Sequence, residues 1–237
     1  MYGHNSSSTN VAFTPDFLML LMLLLLLLLV LLVLLLLLLL NSLKQHKGTG
    51  PDNLSPALLK FLANDIAPIL ALIFSHSINT GRVLLDWKCA NVVPVFKKGD
   101  KKAPLNYRPI SLTSVASKIL EHIIAHEIRQ FLDQNSLLTE CQHGFRKKHS
   151  CESQLIHTIS DLIASSNTDT QVYVLILDFS KAFDTVSHTK LVHKLKAYGL
   201  NVHLINWIQD WLLGRTFRVI VNGSFSQPTR RVSSEVP

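Results

Sequence analysis

Residues 17–40 constrain the fold of this chain more than any other segment, because they contain no polar side chain. The segment holds 19 leucines with one phenylalanine, two methionines and two valines. As an α-helix it would be about 36 Å long, whereas the hydrocarbon core of a bilayer is about 30 Å thick. We therefore expect a transmembrane helix at 17–40, preceded by a disordered leader at 1–16.

The flanks of this leucine tract predict an orientation. Lys44 and Lys47 follow the tract, and no Lys or Arg precedes it, so the positive-inside bias places the C-terminal part in the cytoplasm. The tract is too long for the core of a signal peptide and lacks a basic leader. The alternative is a translated repeat joined to an unrelated reading frame, in which case the chain would be cytoplasmic or nuclear.

The remaining residues, 41–237, have the composition of a soluble protein with a strong positive charge. They contain all 23 Lys and Arg but only 15 of the 16 acidic residues, which gives a net charge of +8. A basic excess of this size favours a polyanionic partner such as a nucleic acid.

The three cysteines are Cys89, Cys141 and Cys151. They are too few and odd in number for a disulfide framework, which predicts a reducing compartment and no disulfide-linked partner. Cys141 with His143, and His149 with Cys151, have the residue types of zinc ligands. One residue separates the members of each pair, which is closer than the usual spacing of zinc ligands. We therefore expect these residues not to form a zinc site.

The hydrophobic patterns after the tract predict an α+β fold behind a polar linker at 41–53. Ser55 is expected to cap a helix that starts at Pro56, and Gly81 to end the helix that follows. Pro94 places its strand near a sheet edge. The expected helices are 56–64, 66–79, 114–132, 151–164, 188–198 and 202–213, and the expected strands are 90–96, 107–112, 171–177, 217–221 and 224–226.

Two of the expected strands carry especially clear signals. Gln171–Leu177 is almost continuously apolar, which is typical of a strand that is buried on both faces of a sheet. Asn222-Gly223 separates the last two strands, and this dipeptide favours the type I′ turn of a β-hairpin.

The carboxylate of Asp178 directly follows the apolar strand. An aspartate at a strand tip is a suitable ligand for Mg²⁺, which prefers oxygen donors; it can equally cap a turn. Phe183 lies five residues further on, where its ring could contact a substrate or pack in the core.

Further motifs accompany this segment in a fixed order along the chain. They are Gly50-Pro51-Asp52, residues 106–112 (NYRPISL), residues 117–121 (SKILE), residues 142–146 (QHGFR), residues 178–184 (DFSKAFD), and then Trp207 and Arg215. The series resembles the reverse transcriptases of LINE-like, non-LTR retrotransposons over residues from about 48 to 237. The resemblance implies the fingers and first half of the palm of a right-hand polymerase at 54–237, preceded by a single hydrophobic helix.

This resemblance also implies an activity and a set of site residues. The activity is RNA-directed DNA polymerisation, with template RNA, a DNA primer, dNTPs and Mg²⁺. Asp178 would be catalytic and would bind the metal together with the backbone carbonyl of Phe179, while Phe183 would exclude a 2′-hydroxyl by steric clash. The nucleotide would also contact Lys97, Lys98 and Arg108, and the template would contact Gln142, Gly144, Phe145 and Arg146.

The sequence also departs from the family pattern. It contains no Asp-Asp dipeptide and ends before a Tyr-x-Asp-Asp motif, and Glu235 stands where the family usually has glycine. One carboxylate cannot hold two Mg²⁺ ions, so we expect a truncated domain that is inactive alone. The alternative is a non-enzymatic, membrane-anchored retroelement remnant with a basic surface that binds nucleic acid.

Overall fold

The computed structural model describes residues 15–168, 171–179, 182–183, 185–227 and 230–231. These residues form an α+β fold, as the sequence predicts. The helices are α1 Pro15–Asn41, α2 Pro56–Phe61, α3 Ala63–Thr80, α4 Val115–Gln134, α5 Cys151–Ser166, α6 His188–Ala197 and α7 Val202–Leu212. The strands are β1 Cys89–Phe96, β2 Tyr107–Leu112, β3 Thr216–Val221, β4 Ser224–Phe225 and β5 Arg230–Arg231. Residues 1–14 of the expected leader lie outside the described part of the chain.

The leucine tract is helical, and its two halves have different surroundings. Residues 19–28 are exposed along their whole length. Leu36 and Leu40, in contrast, are completely buried, and they belong to the same hydrophobic core as Phe74 of α3 and Leu120 of α4. The C-terminal half of α1 is therefore a core helix of the domain, while its N-terminal half projects from it.

The start of α2 and the end of α3 follow the capping signals of the sequence. The side chain of Ser55 accepts a hydrogen bond from the Leu58 backbone N–H at 3.1 Å, and Pro56 takes the first helical position. Gly81 ends α3 with a left-handed backbone, at φ 65°. The break between the two helices falls at Leu62, earlier than the sequence pattern predicts.

The sheet has the strand order β2-β1-β3-β4, and β5 also pairs with β3. Strand β1 is antiparallel to β2 and parallel to β3, so it is not itself an edge strand but lies next to the edge strand β2, near an edge as the sequence predicts. Pro94 is tolerated because the pairing with β3 covers only Cys89 to Val92. On its other side, Pro94 lies opposite Pro109, and neither residue has an N–H that needs an acceptor.

The hairpin of β3 and β4 confirms the prediction made from Asn222-Gly223. Both turn residues have positive φ angles, 50° and 79°, as a type I′ turn requires. The turn fixes the register in which Ile220 lies opposite Phe225.

The expected strand at 171–177 is not formed. Residues 171–179 have no regular secondary structure, and Leu175 and Ile176 are 82% and 87% exposed. An apolar segment becomes a strand only when a neighbouring strand satisfies its backbone N–H and C=O groups. No described strand pairs with this segment. Its apolar side chains are therefore not buried in a sheet.

Candidate nucleotide and nucleic-acid site

The predicted phosphate-binding cations lie on the β1–β2 hairpin. Lys97 and Lys98 directly follow β1 and are exposed, and Arg108 is an exposed residue of β2 paired with Val95. The Lys97 backbone N–H donates to the Asn106 carbonyl at 2.8 Å, which extends the hairpin by one further pair. The three side chains are thus on one rigid element, with two at its tip and one close behind.

The hairpin tip is held by the residues that precede Arg108. The Asn106 side-chain amide donates to the Asp100 carbonyl at 2.8 Å, and the Tyr107 hydroxyl donates to the Lys101 carbonyl at 2.9 Å. Gly99 has φ 92°, and a β-carbon there would lie 2.8 Å from the Asn106 side chain. The residues around Arg108 therefore shape the turn that carries Lys97 and Lys98.

The predicted template segment forms a tight loop between α4 and α5. The Gln142 side chain donates to the Gly144 carbonyl at 3.2 Å, and the Arg146 guanidinium donates to the Thr139 carbonyl at 2.8 Å. Arg146 also lies 3.7 Å from the Asp133 carboxylate at the end of α4. Phe145, between these anchors, has φ 61° and is 89% exposed.

Three histidine rings lie together beside this loop. The ring centroid of His143 is 4.8 Å from that of His149 and 5.4 Å from that of His157, and His143 Nδ1 lies 2.7 Å from Ser153 Oγ. Desolvation lowers the pKa of His143, and the neighbouring His149, His157 and Arg146 lower it further. These neighbours therefore favour the neutral form of the His143 ring.

The same histidines do not provide a metal site in this arrangement. In the parts of the chain that the structure describes, no three His, Cys, Asp or Glu side chains are placed to hold a metal ion. Cys141 and Cys151 are free and exposed. Ser153 instead forms a capping box with Ser150 at the start of α5, so its hydroxyl joins the histidine cluster to a helix terminus.

Phe183, five residues after Asp178, contacts the predicted template loop. The ring centroids of Phe145 and Phe183 are 6.2 Å apart, and the rings are nearly perpendicular at 88°. Asp178 and Phe179 are exposed in the irregular segment 171–179. Asp184, the last residue of this motif, lies outside the described residues.

The oxygen donors of this segment do not by themselves make a two-metal centre. The Asp178 carboxylate and the Phe179 carbonyl are neighbours in the chain, and both are accessible. Two divalent cations about 3.5–4 Å apart need carboxylates from more than one direction. Among the described residues, Asp178 belongs to no group of three or more His, Cys, Asp or Glu side chains that could hold a metal ion.

Several residues of the family-like motifs are structural. Glu121 Oε1 accepts hydrogen bonds from the Ser117 hydroxyl at 2.6 Å and from the Trp211 indole at 3.0 Å, which joins α4 to α7. The buried guanidinium of Arg215 lies over the Trp211 ring, 5.4 Å from its centroid, and desolvation lowers the pKa of Arg215. Glu121 partly opposes that shift by its negative charge.

Sequence reasoning missed a second set of polar contacts in this core. The Trp207 indole donates to the Ser77 hydroxyl at 2.9 Å, and Ser77 in turn donates to the Arg82 carbonyl at 2.6 Å. Lys88 forms an ion pair with Asp210 at 2.8 Å. Trp207 and Ser77, and likewise Lys88 and Asp210, are more than a hundred residues apart in the sequence, so no local pattern could have indicated these two contacts.

Comparison with known proteins identifies the family. The family model described as "Reverse transcriptase (RNA-dependent DNA polymerase)" matches residues 96–237. The chain is 30% identical over 194 residues to the probable RNA-directed DNA polymerase from transposon BS of Drosophila melanogaster, an alignment that covers 79% of this chain and 21% of that protein. It is 28% identical over 193 residues to the RNA-directed DNA polymerase from mobile element jockey of the same species, covering 81% and 21%.

A third relative comes from a different species. The Pol polyprotein from the type-1 retrotransposable element R2 of Popillia japonica is 29% identical over 155 residues, which cover 64% of this chain and 20% of that protein. The chain thus spans about a fifth of the length of these relatives. It belongs to the reverse transcriptase family, and its relatives are the RNA-directed DNA polymerases of non-LTR retrotransposons.

Proposed function

We propose that this chain is a reverse transcriptase domain fragment that binds a nucleic-acid template and primer but does not polymerise DNA alone. The observation that carries the proposal is the contact between Phe145 and Phe183. It brings the loop expected to bind the template against the segment expected to bind the nucleotide, although the two phenylalanines are 38 positions apart in the sequence. Exposed cations at Lys97, Lys98 and Arg108 supply a second contact surface for phosphate.

The proposed lack of polymerase activity follows from the oxygen atoms available to bind Mg²⁺. Asp178 and the Phe179 carbonyl would hold part of a Mg²⁺ site, whereas nucleotidyl transfer requires both ions to be fixed. Phe183 would select deoxyribose over ribose only when a nucleotide is bound by the cations of the β1–β2 hairpin. Template RNA, primer DNA and dNTPs are thus the ligand classes of the proposal, and binding is the activity assigned to this chain.

The test measures binding and incorporation on the full-length chain in detergent. A labelled RNA template annealed to a DNA primer should bind with an affinity that falls as salt rises, because phosphate contacts release counterions. Primer extension with dNTPs and Mg²⁺ should give no product. Incorporation that disappears in Asp178→Asn would overturn the proposed inactivity, and absence of salt-dependent binding would overturn the proposal as a whole.

A second candidate function is a membrane-anchored, non-enzymatic remnant. Within the described residues, Met19–Asn41 is the one helix that is long and apolar enough to cross a membrane. Since its C-terminal half packs in the domain core, the uniformly exposed residues 19–28 are free to insert, a helical length of about 15 Å. That length reaches into a bilayer whose hydrocarbon core is about 30 Å without crossing it completely.

A cavity beside the C-terminal end of α1 supports this candidate. Its volume is 350 Å³, and Leu39, Leu43, Lys44, Lys47 and Lys118 are among its lining residues. Lysines next to an inserted helix attract anionic headgroups on the cytoplasmic side of a membrane. Liposome flotation followed by carbonate extraction tests the candidate: retention of the full-length chain on vesicles supports it, and complete release by carbonate contradicts a stable anchor.

A further inference from the structure

The backbone of Phe145 is strained. A positive φ is costly for a residue with a bulky side chain, and such outliers concentrate at functional sites. At φ 61° the loop holds the Phe145 ring in solvent, 89% exposed, so burial in the core does not explain the strain. The anchors of Gln142 and Arg146 on either side keep the loop in this shape.

The ring of Phe145 has an aromatic neighbour and open faces. Phe183 meets it in a perpendicular arrangement at 6.2 Å and is itself 59% exposed. This contact fixes the orientation of Phe145 but covers little of its surface. Exposed aromatic faces on a protein that binds single strands are the surfaces on which nucleic-acid bases stack.

A cationic cleft adjoins the same ring. It has a volume of 260 Å³ between α4 and the loop, and Phe145 forms part of its wall. Its charged lining consists of Arg129, Arg146 and Lys147 against the single carboxylate of Asp133, and His126 adds an imidazole. The excess of cations favours a phosphate next to the place where a base would stack.

From these observations we propose that Phe145, held by Phe183, is a stacking platform for one unpaired base of single-stranded nucleic acid, whose adjacent phosphate occupies the cleft of Arg129 and Lys147. The inference rests on the proposed nucleic-acid binding and adds that this loop contacts a base face rather than the backbone alone. The charge of the cleft favours this ligand over an apolar protein segment, which would leave the cations without counterions.

The test measures the affinity of the full-length chain, in detergent, for two nucleic-acid strands. One is a fluorescein-labelled single-stranded RNA, and the other has the same length but abasic sites throughout its central part. Phe145→Leu should weaken binding of the base-bearing strand about 5- to 150-fold, the range for loss of one aromatic stack. It should leave binding of the abasic strand unchanged, and Phe145→Trp should retain the wild-type difference.

Two further variants separate the platform from general effects. Phe61→Leu, at another ring that is 85% exposed but lies on α2, should change neither affinity. The double variant Arg129→Gln, Lys147→Gln should weaken binding of both nucleic-acid strands equally and reduce the salt dependence of the affinity. Circular dichroism should show wild-type melting for Phe145→Leu, since an exposed, strained ring contributes little to stability.

The outcomes distinguish this inference from the proposed function. If Phe145→Leu weakens binding of both nucleic-acid strands equally, or Phe61→Leu reproduces its effect, the proposed stacking platform is wrong. The proposed binding of nucleic acid is not affected by that result. If the wild-type chain binds neither strand, both proposals fail. Loss confined to the base-bearing strand, with recovery in Phe145→Trp, supports the platform.

Discussion

At the residue scale, two motif glycines have opposite surroundings. A β-carbon on Gly50 would lie 2.6 Å from the carbonyl carbon and oxygen of Thr113 and 2.7 Å from the backbone nitrogen of Ser114, where β2 leads into α4. A β-carbon on Gly144 would have no atom within 4 Å. The first glycine is therefore required by packing, whereas the second is not.

This contrast predicts different effects of the same substitution. Gly50→Ala should lower the free energy of unfolding by about 1–3 kcal/mol, because backbone atoms cannot move aside for the new methyl group. Gly144→Ala should change it by less than about 0.5 kcal/mol. Urea denaturation followed by tryptophan fluorescence in detergent measures both, and equal midpoints for the two variants would contradict the packing argument.

The histidine cluster predicts a pH effect on the loop at 139–150. Because the pKa of His143 is lowered by desolvation and by His149, His157 and Arg146, the folded loop binds a proton less readily than the unfolded one. The stability of the loop is then complete above the ordinary histidine pKa of about 6.5 and is lost as the pH falls through that value toward the lowered pKa.

Hydrogen exchange of the loop amides between pH 7.5 and 5, corrected for the intrinsic rate, measures this effect. We expect protection to decrease as the pH falls and the decrease to be smaller in His143→Gln. His203→Gln, at an exposed position on α7, is the control and should keep the wild-type profile. A loop whose protection is independent of pH would contradict the prediction.

At the element scale, α1 shows how one composition can serve two environments. Leucine on all sides of a helix carries no information about which face is buried, and the sequence therefore predicts a uniform span. In the fold, Leu36 and Leu40 are buried against α3, whereas Leu38 between them is 71% exposed. The packing partner, not the helix itself, decides which leucines stabilise the domain.

Alanine substitutions separate the two roles. Leu40→Ala should reduce the free energy of unfolding by about 2–5 kcal/mol, the cost of a cavity in a packed core. Leu38→Ala removes the same atoms from the exposed face of α1 and should lower the free energy of unfolding by less than about 0.5 kcal/mol. Thermal melts in detergent test the pair; equal losses would mean that α1 does not pack as described.

The segment 172–177 is a second element whose environment overrides its pattern. It has the apolar residues of a central strand, yet it is exposed and forms no β-ladder with any of the described strands. We expect its amides to exchange hydrogen at nearly the unprotected rate, while those of β1, which is paired on both sides at Asn91 and Val92, exchange slowly. Protection of 172–177 equal to that of β1 would show that the strand forms in solution.

At the scale of the whole molecule, the core joins distant parts of the chain and leaves the middle outside it. α3 and α4 pack with α7, and β1 pairs with β3, whereas no residue of α5 is buried. Leu155, Ile156 and Ile163 of α5 are more than half exposed. The described residues of the loop at 139–150, of α5 and of 171–179 are therefore attached to the core rather than part of it.

Limited proteolysis should reveal this arrangement. Trypsin should cut first at exposed Lys147 or Lys148, and the two fragments should remain associated, since Trp211 and Lys88 each contribute contacts across the cut. Gel filtration in detergent after cleavage measures the association. The variant Lys147→Gln, Lys148→Gln should delay the cut, and separation of the fragments would contradict a shared core.

The sequence by itself determined the local structure and the family. Caps, turns and helices at Ser55, Gly81, Asn222 and along α4 to α7 lie where hydrogen bonds within a few residues dictate them. The ordered motifs indicated a reverse transcriptase, and the family comparison confirms it. The individual roles of Asp178, Lys97 and the other site residues remain predictions.

Only the tertiary structure decided what each apolar segment contacts. Hydrophobicity indicates that a surface should be removed from water but not which surface covers it. The half-buried α1 and the unpaired 172–177 therefore did not follow from the sequence. The same reason applies to Phe145 and Phe183. Their contact depends on the folding of two distant loops, and it provides the surface on which the proposed binding of a base rests.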